Sequence, residues 1–379
     1  MKFIHLSDLH LGKRVNEFSM LEEQDAILKQ ILGIIDNELP DGILIAGDIY
    51  DKSVPSAEAL QLFDGFLCEL AKRHLQVFII SGNHDSPERI AFGSRIMDVS
   101  GIHLSPVYNG IVEPITMQDE HGTVNVYMLP FIKPSHVRRF YEGENIVTYT
   151  DAMRVTISAM NIDTSERNVL VTHQFVTGAT TCESEEISVG GTDNVDASVF
   201  AYFDYVALGH IHGAQNCGLE RVRYCGTPLK YSFSEAKHQK SVTVVDIGAK
   251  DELTIRTVDL TPVHDMSEIR GTFAELTDPV YYTGNSITDN YLRITLTDED
   301  DIPDAIGRLR LIYKNLMRLD YDNKRTRSHN VISSAVDTET KSAYELFAEF
   351  FEKQNNTTMS DEQSTYMKEL IEKIEEEMA

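Results

Sequence analysis

The sequence lacks the features that mark membrane, secreted and nucleotide-binding proteins. No apolar run reaches the roughly 18 residues of a membrane-spanning helix, and the N-terminal stretch MKFIHLSD has no apolar signal-peptide core. The four cysteines form no C-x-x-C pair, which favours free thiols in a reducing cytosol over structural disulfides. No G-x-x-x-x-G-K-S/T motif occurs, so nothing indicates an ATP site in this chain. We therefore expect a cytoplasmic protein without membrane attachment.

Basic residues are also scarce. Lys and Arg number 34 against 60 Asp and Glu, which gives a formal net charge of −26. This balance argues against a non-specific nucleic-acid binder, because such proteins are usually basic. It does not exclude nucleic acid, since divalent cations bound in a site reverse the local sign of the charge. Much of the acidic excess lies away from the motifs below, for example at residues 298–301 and 375–377.

The sequence does contain five apolar runs that each end in Asp, Asn or His. These polar residues are Asp8 and His10, Asp48 and Asp51, Asn83, His84 and Asp85, His173, and finally His210 and His212. Ligands of open α/β sheets bind just beyond the carboxyl ends of parallel strands, which is where these residues would fall. Alone, the Gly-Asn-His-Asp stretch is better explained as a turn with a solvated histidine. Five apolar runs would rarely all end in such residues by chance, so we predict that these polar residues form one shared site.

Strands alternate with helices over the first hundred residues, a pattern that indicates βαβ units and a mainly parallel sheet. Short β-type runs at residues 221–225, 242–247 and 253–258 predict an antiparallel continuation of a second sheet. The expected fold class is α/β, with two sheets packed face to face between outer helices. We expect this αββα sandwich at residues 1–264, a small α/β capping domain at 265–325, and a linker with a helical tail at 326–379.

The tail is predicted to form two short helices with apolar faces. Short helices are marginally stable by themselves, so these faces need a partner. They could fold back onto the body of the protein or dock another protein. We favour docking, because the polar, basic stretch YDNKRTRSHN at residues 321–330 separates the tail from the body.

The five strand ends carry a donor set that suits metal ions. Carboxylates, imidazoles and an amide without a thiolate set favour Mn²⁺, Fe²⁺ or Zn²⁺, and Mg²⁺ alone rarely uses so many histidines. A bridging carboxylate can hold two cations about 3.5–4 Å apart, and such pairs catalyse in-line displacement at phosphorus. Without cations, the crowded carboxylates and desolvated imidazoles would only cost stability.

The order D-x-H, G-D-x-x-D, G-N-H-D, a lone H and G-H-x-H resembles that of the calcineurin-like metallophosphoesterases and covers residues 1–261. The flanking stretches GDIYDKSVPS at 47–56 and SGNHDSPERIAFGSR at 81–95, the module at 291–321 and the tail resemble those of SbcD-type nuclease subunits of bacterial SbcCD complexes. The resemblance is therefore nearly full length.

That resemblance implies an ATP-dependent double-strand 3′–5′ exonuclease and single-strand or hairpin endonuclease, in DNA repair, replication and recombination. It also implies two divalent metal ions, Mn²⁺ by preference, an SbcC-type SMC-like ATPase partner that uses the ATP, and a homodimer formed through helices of the first hundred residues. The implied ligands are Asp8, His10, Asp48 and His212 for one metal, and Asp48, Asn83, His173 and His210 for the other. The implied catalytic residues are His84 and Asp85, of which Asp85 orients His84 or its loop, and Asp51 stands outside the ligand set.

Two other classes of function stay open. A phosphomonoesterase, protein phosphatase or nucleotide phosphodiesterase could use the same scaffold. Serine/threonine phosphatases show GDxVDRG and GNHE, whereas this chain has GDIYDKS and GNHD, which weighs against them. A non-catalytic scaffold that joins an ATPase to DNA is the third interpretation, and the complete ligand set weighs against it.

Overall fold

The computed structural model describes residues 1–185, 193–284, 286–300, 302–323, 342–355 and 358–378. The strands are β1 (Lys2–Leu6), β2 (Arg14–Val15), β3 (Phe18–Ser19), β4 (Gly42–Ala46), β5 (Gln76–Ile80), β6 (Ile102–Leu104), β7 (Ile115–Asp119), β8 (Gly122–Leu129), β9 (Arg167–His173), β10 (Tyr205–Gly209), β11 (Gln215–Cys217), β12 (Leu219–Tyr224), β13 (Ser241–Ile247), β14 (Leu253–Asp259), β15 (Met266–Gly271), β16 (Tyr291–Leu296) and β17 (Leu316–Tyr321). The helices are α1 (Leu21–Glu38), α2 (Ala57–Lys72), α3 (Pro87–Ile90), α4 (Ser94–Met97), α5 (Pro134–Arg138), α6 (Tyr149–Ala159), α7 (Phe273–Leu276), α8 (Pro279–Tyr282), α9 (Ala305–Arg310), α10 (Ala343–Asn355) and α11 (Asp361–Met378).

The first sheet has the strand order β14-β13-β1-β4-β5-β6. Strands β1, β4, β5 and β6 run parallel, as the alternation of strands and helices predicts. The apolar run before Gly82 is the strand β5, and its residues Val77, Phe78, Ile79 and Ile80 are fully buried. Burial on both faces explains why this strand is a continuous apolar run rather than an alternating one.

The second sheet has the strand order β11-β12-β10-β9-β8-β7 and packs face to face on the first. Phe3, Leu44 and Phe78 from the first sheet form one buried cluster with Val171 and Ala207 from the second. Separate apolar clusters fill the spaces between each sheet and its outer helices. The predicted αββα sandwich is confirmed.

The prediction of where the late strands pair was wrong. Strands β13 and β14 extend the first sheet rather than the second, because β13 pairs antiparallel with the edge of β1. The N-terminal strand would otherwise expose a row of unpaired backbone groups on that side. Of the three late β-type runs, only the one that forms β12 joins the second sheet, where β12 runs parallel to β10.

Residues beyond the sandwich form a smaller sheet of three parallel strands in the order β15-β16-β17. Leu292, Ile294 and Leu309 lie in its own buried cluster. This module is joined to the sandwich through α1, because the buried Glu23 carboxylate accepts the backbone N–H groups of Val263 and His264.

The tail belongs to a separate compact unit of the chain. Helices α10 and α11 are present as predicted, and the Lys368 ammonium lies 4.8 Å from the ring centre of Tyr344. Most of the predicted linker, from residue 324 onward, lies outside the described residues. All four cysteines are free thiols. Among the helices that the structure describes, none is long and apolar enough to cross a membrane.

Candidate metal centre

Strands of both sheets end at one shared point. Asp8, Asp48 and Asn83 follow β1, β4 and β5 of the first sheet, while His173 ends β9 and His210 follows β10 of the second. Asp8, Asp48 and His173 are almost completely buried. The geometry therefore brings together side chains that are up to 202 residues apart in sequence.

The backbone at this point adopts an uncommon conformation. Asp8, His10, Asp48 and His210 have φ angles of 52°, 44°, 50° and 105°, in the left-handed region that side chains other than glycine rarely occupy. Residues held in such conformations cost roughly 1–3 kcal/mol each and cluster at functional sites. Four of them among the predicted ligands support a functional role for this point.

Two glycines allow the strand ends to approach each other. A Cβ atom on Gly82 would lie 2.0 Å from Oδ1 of Asp48, and one on Gly209 would lie 1.9 Å from the carbonyl oxygen of Ala46. Neither space can hold a side chain. The glycines of the G-N-H-D and G-H-x-H motifs are thus required by close backbone packing.

One group of candidate ligands consists of Asp8, His10 and His212. Their ligand atoms all lie within 4.8 Å of one another. Nε2 of His10 is 3.2 Å from Nε2 of His212 and 3.7 Å from Oδ2 of Asp48. These four residues are the ones predicted for one metal.

A second group joins Asp8, Asp48 and His173. Nε2 of His173 lies 3.4 Å from Oδ2 of Asp48 and 2.9 Å from Oδ1 of Asn83. Nδ1 of His210 is also 2.9 Å from that Asn83 oxygen. The structure thus brings the residues predicted for the other metal together, with Asp48 beside both groups.

Burial changes the protonation of these residues. It raises the pKa of Asp8 to about 8 and lowers the pKa of His210 to about 3. Burial alone would lower the pKa of His173, but the negative charge of Asp48 raises it to about 9. Burial thus favours the neutral form of the Asp8 carboxyl, and additional positive charge in the pocket would favour its ionised form.

The hydrogen bonds of His173 and the types of donor atom present both fit divalent cations. Nδ1 of His173 lies 2.8 Å from the carbonyl oxygen of Ala46, which can only accept, so that nitrogen carries a proton. Nε2 then faces Asn83 and Asp48 oxygens either as a charged donor or as a lone pair that shares a cation with them. Oxygen and imidazole donors without thiolates match Mn²⁺, Fe²⁺ or Zn²⁺.

His84 forms a third group of possible ligands with His10 and Asp48, and 13 % of its side chain is exposed. Its backbone N–H donates to Oδ1 of Asp48 at 3.0 Å, and its Nδ1 is 3.1 Å from the carbonyl oxygen of Asp51. Nε2 is 3.9 Å from Oδ2 of Asp48. The Asp51 carboxylate itself forms an ion pair with Lys13 at 2.7 Å.

Asp85 is buried and binds backbone. Its carboxylate accepts the N–H groups of Gly82, Ile49 and Tyr50 at 2.9, 3.1 and 3.0 Å. It thus ties the loop that carries His84 to the loop that follows Asp48. This contact gives a physical basis for the predicted orienting role, which stays a prediction.

Several residues behind His212 were not predicted from the sequence. These are Ser184, Glu185, Tyr231, Glu235 and Lys240. They follow no strand and belong to no motif. No signal in the sequence could have identified them, since they reach the site only through tertiary packing.

Comparison with known proteins shows which families this chain resembles. Residues 1–214 match the family model described as calcineurin-like phosphoesterase, and residues 262–355 match the one described as type 5 capsule protein repressor C-terminal domain. The chain is 32 % identical over 378 residues to the SbcD subunit of the nuclease SbcCD from Staphylococcus epidermidis, covering 98 % of each chain. A crystal structure of a Thermus thermophilus protein is similar over 68 % of this chain and 98 % of its own, with 13 % identity and a TM-score of 0.40.

Proposed function

This chain belongs to the calcineurin-like phosphoesterases and, within them, to the SbcD family of SbcCD nuclease subunits, and on that premise we propose that it is a metal-dependent DNA nuclease. The proposed activities are ATP-dependent 3′–5′ exonuclease on double strands and endonuclease on single strands and hairpins. The proposed partner is an SbcC-type ATPase, and the proposed setting is cytoplasmic DNA repair, replication and recombination. The meeting of carboxylate, imidazole and amide donors from both sheets at one buried point is the observation that carries this proposal.

We further propose that two Mn²⁺ ions occupy the centre. One would be held by Asp8, His10, Asp48 and His212, and the other by Asp48, Asn83, His173 and His210. When bound, such a pair lowers the pKa of a water molecule towards neutrality and neutralises charge on the phosphate.

His84 is the proposed catalytic residue among the chain's own groups. Its Nδ1 donates to the Asp51 carbonyl oxygen, which orients the ring and makes Nε2 the nitrogen that exchanges a proton. Partial exposure at the rim lets this imidazole reach a bound phosphodiester and protonate the leaving oxygen. Asp85 positions the His84 loop by the backbone contacts described above.

The direct test uses purified protein, the ATPase partner, Mn²⁺ and linear duplex DNA. We expect the duplex to be shortened from its ends, and EDTA to stop the reaction. Hydrolysis of p-nitrophenyl phosphate without DNA cleavage would instead favour the phosphomonoesterase alternative. Tight DNA binding without hydrolysis of either substrate would favour a scaffold.

We propose that the protein is a homodimer that pairs through the surface around α2, α3 and α4. Phe92, Ile96 and Val99 on this surface are 83 %, 79 % and 89 % exposed. Phe92 also lines an apolar groove of about 700 Å³, together with Leu60 and Phe63. Contiguous exposed apolar surface of this kind marks protein interfaces, and homodimer interfaces are the more apolar class.

Phe92→Glu is therefore expected to convert a dimer to a monomer, because it places a charge in an apolar interface. The measurement is molar mass by light scattering during gel filtration. Val280→Glu is the matched control, since Val280 is 89 % exposed on the three-stranded module. A wild-type protein that is already monomeric at micromolar concentration would refute the dimer.

The tail is the proposed docking element for the ATPase. Phe350 on α10 and Tyr366 on α11 are 59 % and 64 % exposed, although each lies on an amphipathic helix. We expect the double change Phe350→Asp and Tyr366→Asp to abolish capture of the ATPase in a pull-down. Cleavage of short single-stranded DNA should be retained, and an unchanged pull-down would rule out docking by these two residues.

The domain limits stay a proposal. We assign residues 1–264 to the nuclease domain, 265–325 to a small α/β capping domain, and 326–379 to the linker and docking tail.

A further inference from the structure

A buried charged cluster lies directly behind His212, and the proposed mechanism uses none of it. Its members are the carboxylate of Glu235, the ammonium of Lys240 and the hydroxyl of Ser184. Glu235 is fully buried, and Lys240 is 6 % exposed. A buried ion pair often stabilises a fold no more than apolar residues of similar volume would. Stability of the fold alone therefore does not explain this cluster.

The hydrogen bonds of the cluster have a fixed direction. The Glu235 carboxylate, ionised by its partners, only accepts, so the Ser184 hydroxyl donates its single proton to Oε1 at 2.6 Å. The same hydroxyl lies 2.7 Å from Nδ1 of His212 and can there only accept. Nδ1 of His212 therefore carries the proton, and its Nε2 is left with a lone pair. This is the tautomer required of a histidine that binds a cation through Nε2.

Lys240 holds the other side of the cluster. Its three protons go to Oε2 of Glu235 at 2.5 Å, to Oγ1 of Thr227 at 2.7 Å and to the carbonyl oxygen of His212 at 2.9 Å. Glu185 accepts the backbone N–H of His212 at 2.6 Å. The backbone and the ring of His212 are thus each fixed by separate hydrogen bonds.

We propose that Ser184, held by Glu235, is a positioning residue that fixes the tautomer of His212 and so sets the affinity of one cation site. The inference rests on the proposed function, because it concerns the same metal centre. Removing a group that orients a metal-binding histidine through its second ring nitrogen typically lowers metal affinity about 10- to 100-fold.

Ser184→Ala tests this role with Mn²⁺ alone as the probe. Calorimetric titration of the full-length protein is expected to show one Mn²⁺ site weakened by about 10- to 100-fold and the other unchanged. Ser184→Thr keeps the hydroxyl and is expected to bind Mn²⁺ within about threefold of wild type, which is a smaller change than the loss expected for Ser184→Ala. Ser232→Ala is the matched control, because the Ser232 hydroxyl donates to the same Glu235 oxygen at 3.1 Å and its other contact is Ser234.

Two results would overturn the role of Ser184. One is equal Mn²⁺ affinity in wild type and Ser184→Ala. The other is an equal weakening of Mn²⁺ binding in Ser232→Ala, which would show that loss of any hydroxyl bound to Glu235 has this effect. Thermal unfolding in EDTA accompanies each titration and measures how far loss of the Ser184–Glu235 hydrogen bond destabilises the metal-free fold. If wild type itself bound no Mn²⁺, the proposed function would fail together with this inference, whereas equal affinities would overturn the inference alone.

Discussion

Asp48→Asn is expected to reduce Mn²⁺-dependent DNA cleavage by at least about 10³-fold. Metal-ion stabilisation of a phosphoryl transition state is worth several kcal/mol, and each 1.4 kcal/mol is a factor of ten in rate. Asn retains the size of the side chain and an oxygen that can accept the His84 N–H. What it removes is the negative charge shared by the groups around His10 and His173.

The change should be measured both as cleavage rate and as Mn²⁺ stoichiometry. If Asp48 bridges two cations, the variant should bind fewer than two Mn²⁺ per chain. Asp25→Asn is the control, because Asp25 is an exposed carboxylate on α1 that pairs only with its helix neighbour Lys29 among the contacts described. A variant that still binds two Mn²⁺ at wild-type affinity would contradict the bridging role.

His84→Ala is expected to separate metal binding from catalysis. Loss of a general acid slows a reaction by about 10²- to 10⁴-fold, so cleavage should fall by that amount. Mn²⁺ affinity should stay within about threefold of wild type, because loss of a true ligand or its orienting group costs tenfold or more. His84 touches Asp48 through its backbone N–H, and alanine keeps that contact.

Elemental analysis and single-turnover cleavage of an oligonucleotide measure the two quantities. His121→Ala serves as the control, since His121 is exposed in the turn between β7 and β8. Loss of both metals from His84→Ala would show that His84 has a structural role and not the proposed catalytic one. A substrate with a better leaving group should lose less rate in His84→Ala, because it needs less protonation.

The sequence predicted the architecture and the meeting of the candidate ligands from local patterns. Apolar runs that are buried on both faces have no polar alternation, so β4 and β5 were visible as strands. The polar residues after Ala46 and Ile80 then had to lie at the same edge, because parallel strands share the direction of their carboxyl ends. Strands β13 and β14 were assigned to the wrong sheet, since the spacing of short β-type runs indicates antiparallel pairing without identifying the sheet that they join.

The sequence alone determined which chemical groups stand at the five strand ends and that the strands carrying them form an α/β sandwich. Those properties depend on residues close together in the chain, where hydrophobic period and turn chemistry act. The tertiary structure alone decided how His212 is held. Ser184 approaches it from the segment between β9 and β10, and Glu235 and Lys240 approach it from the connection between β12 and β13, without any local pattern. It also decided the left-handed backbone at Asp8 and Asp48, since that strain is maintained by the packing of the surrounding strands.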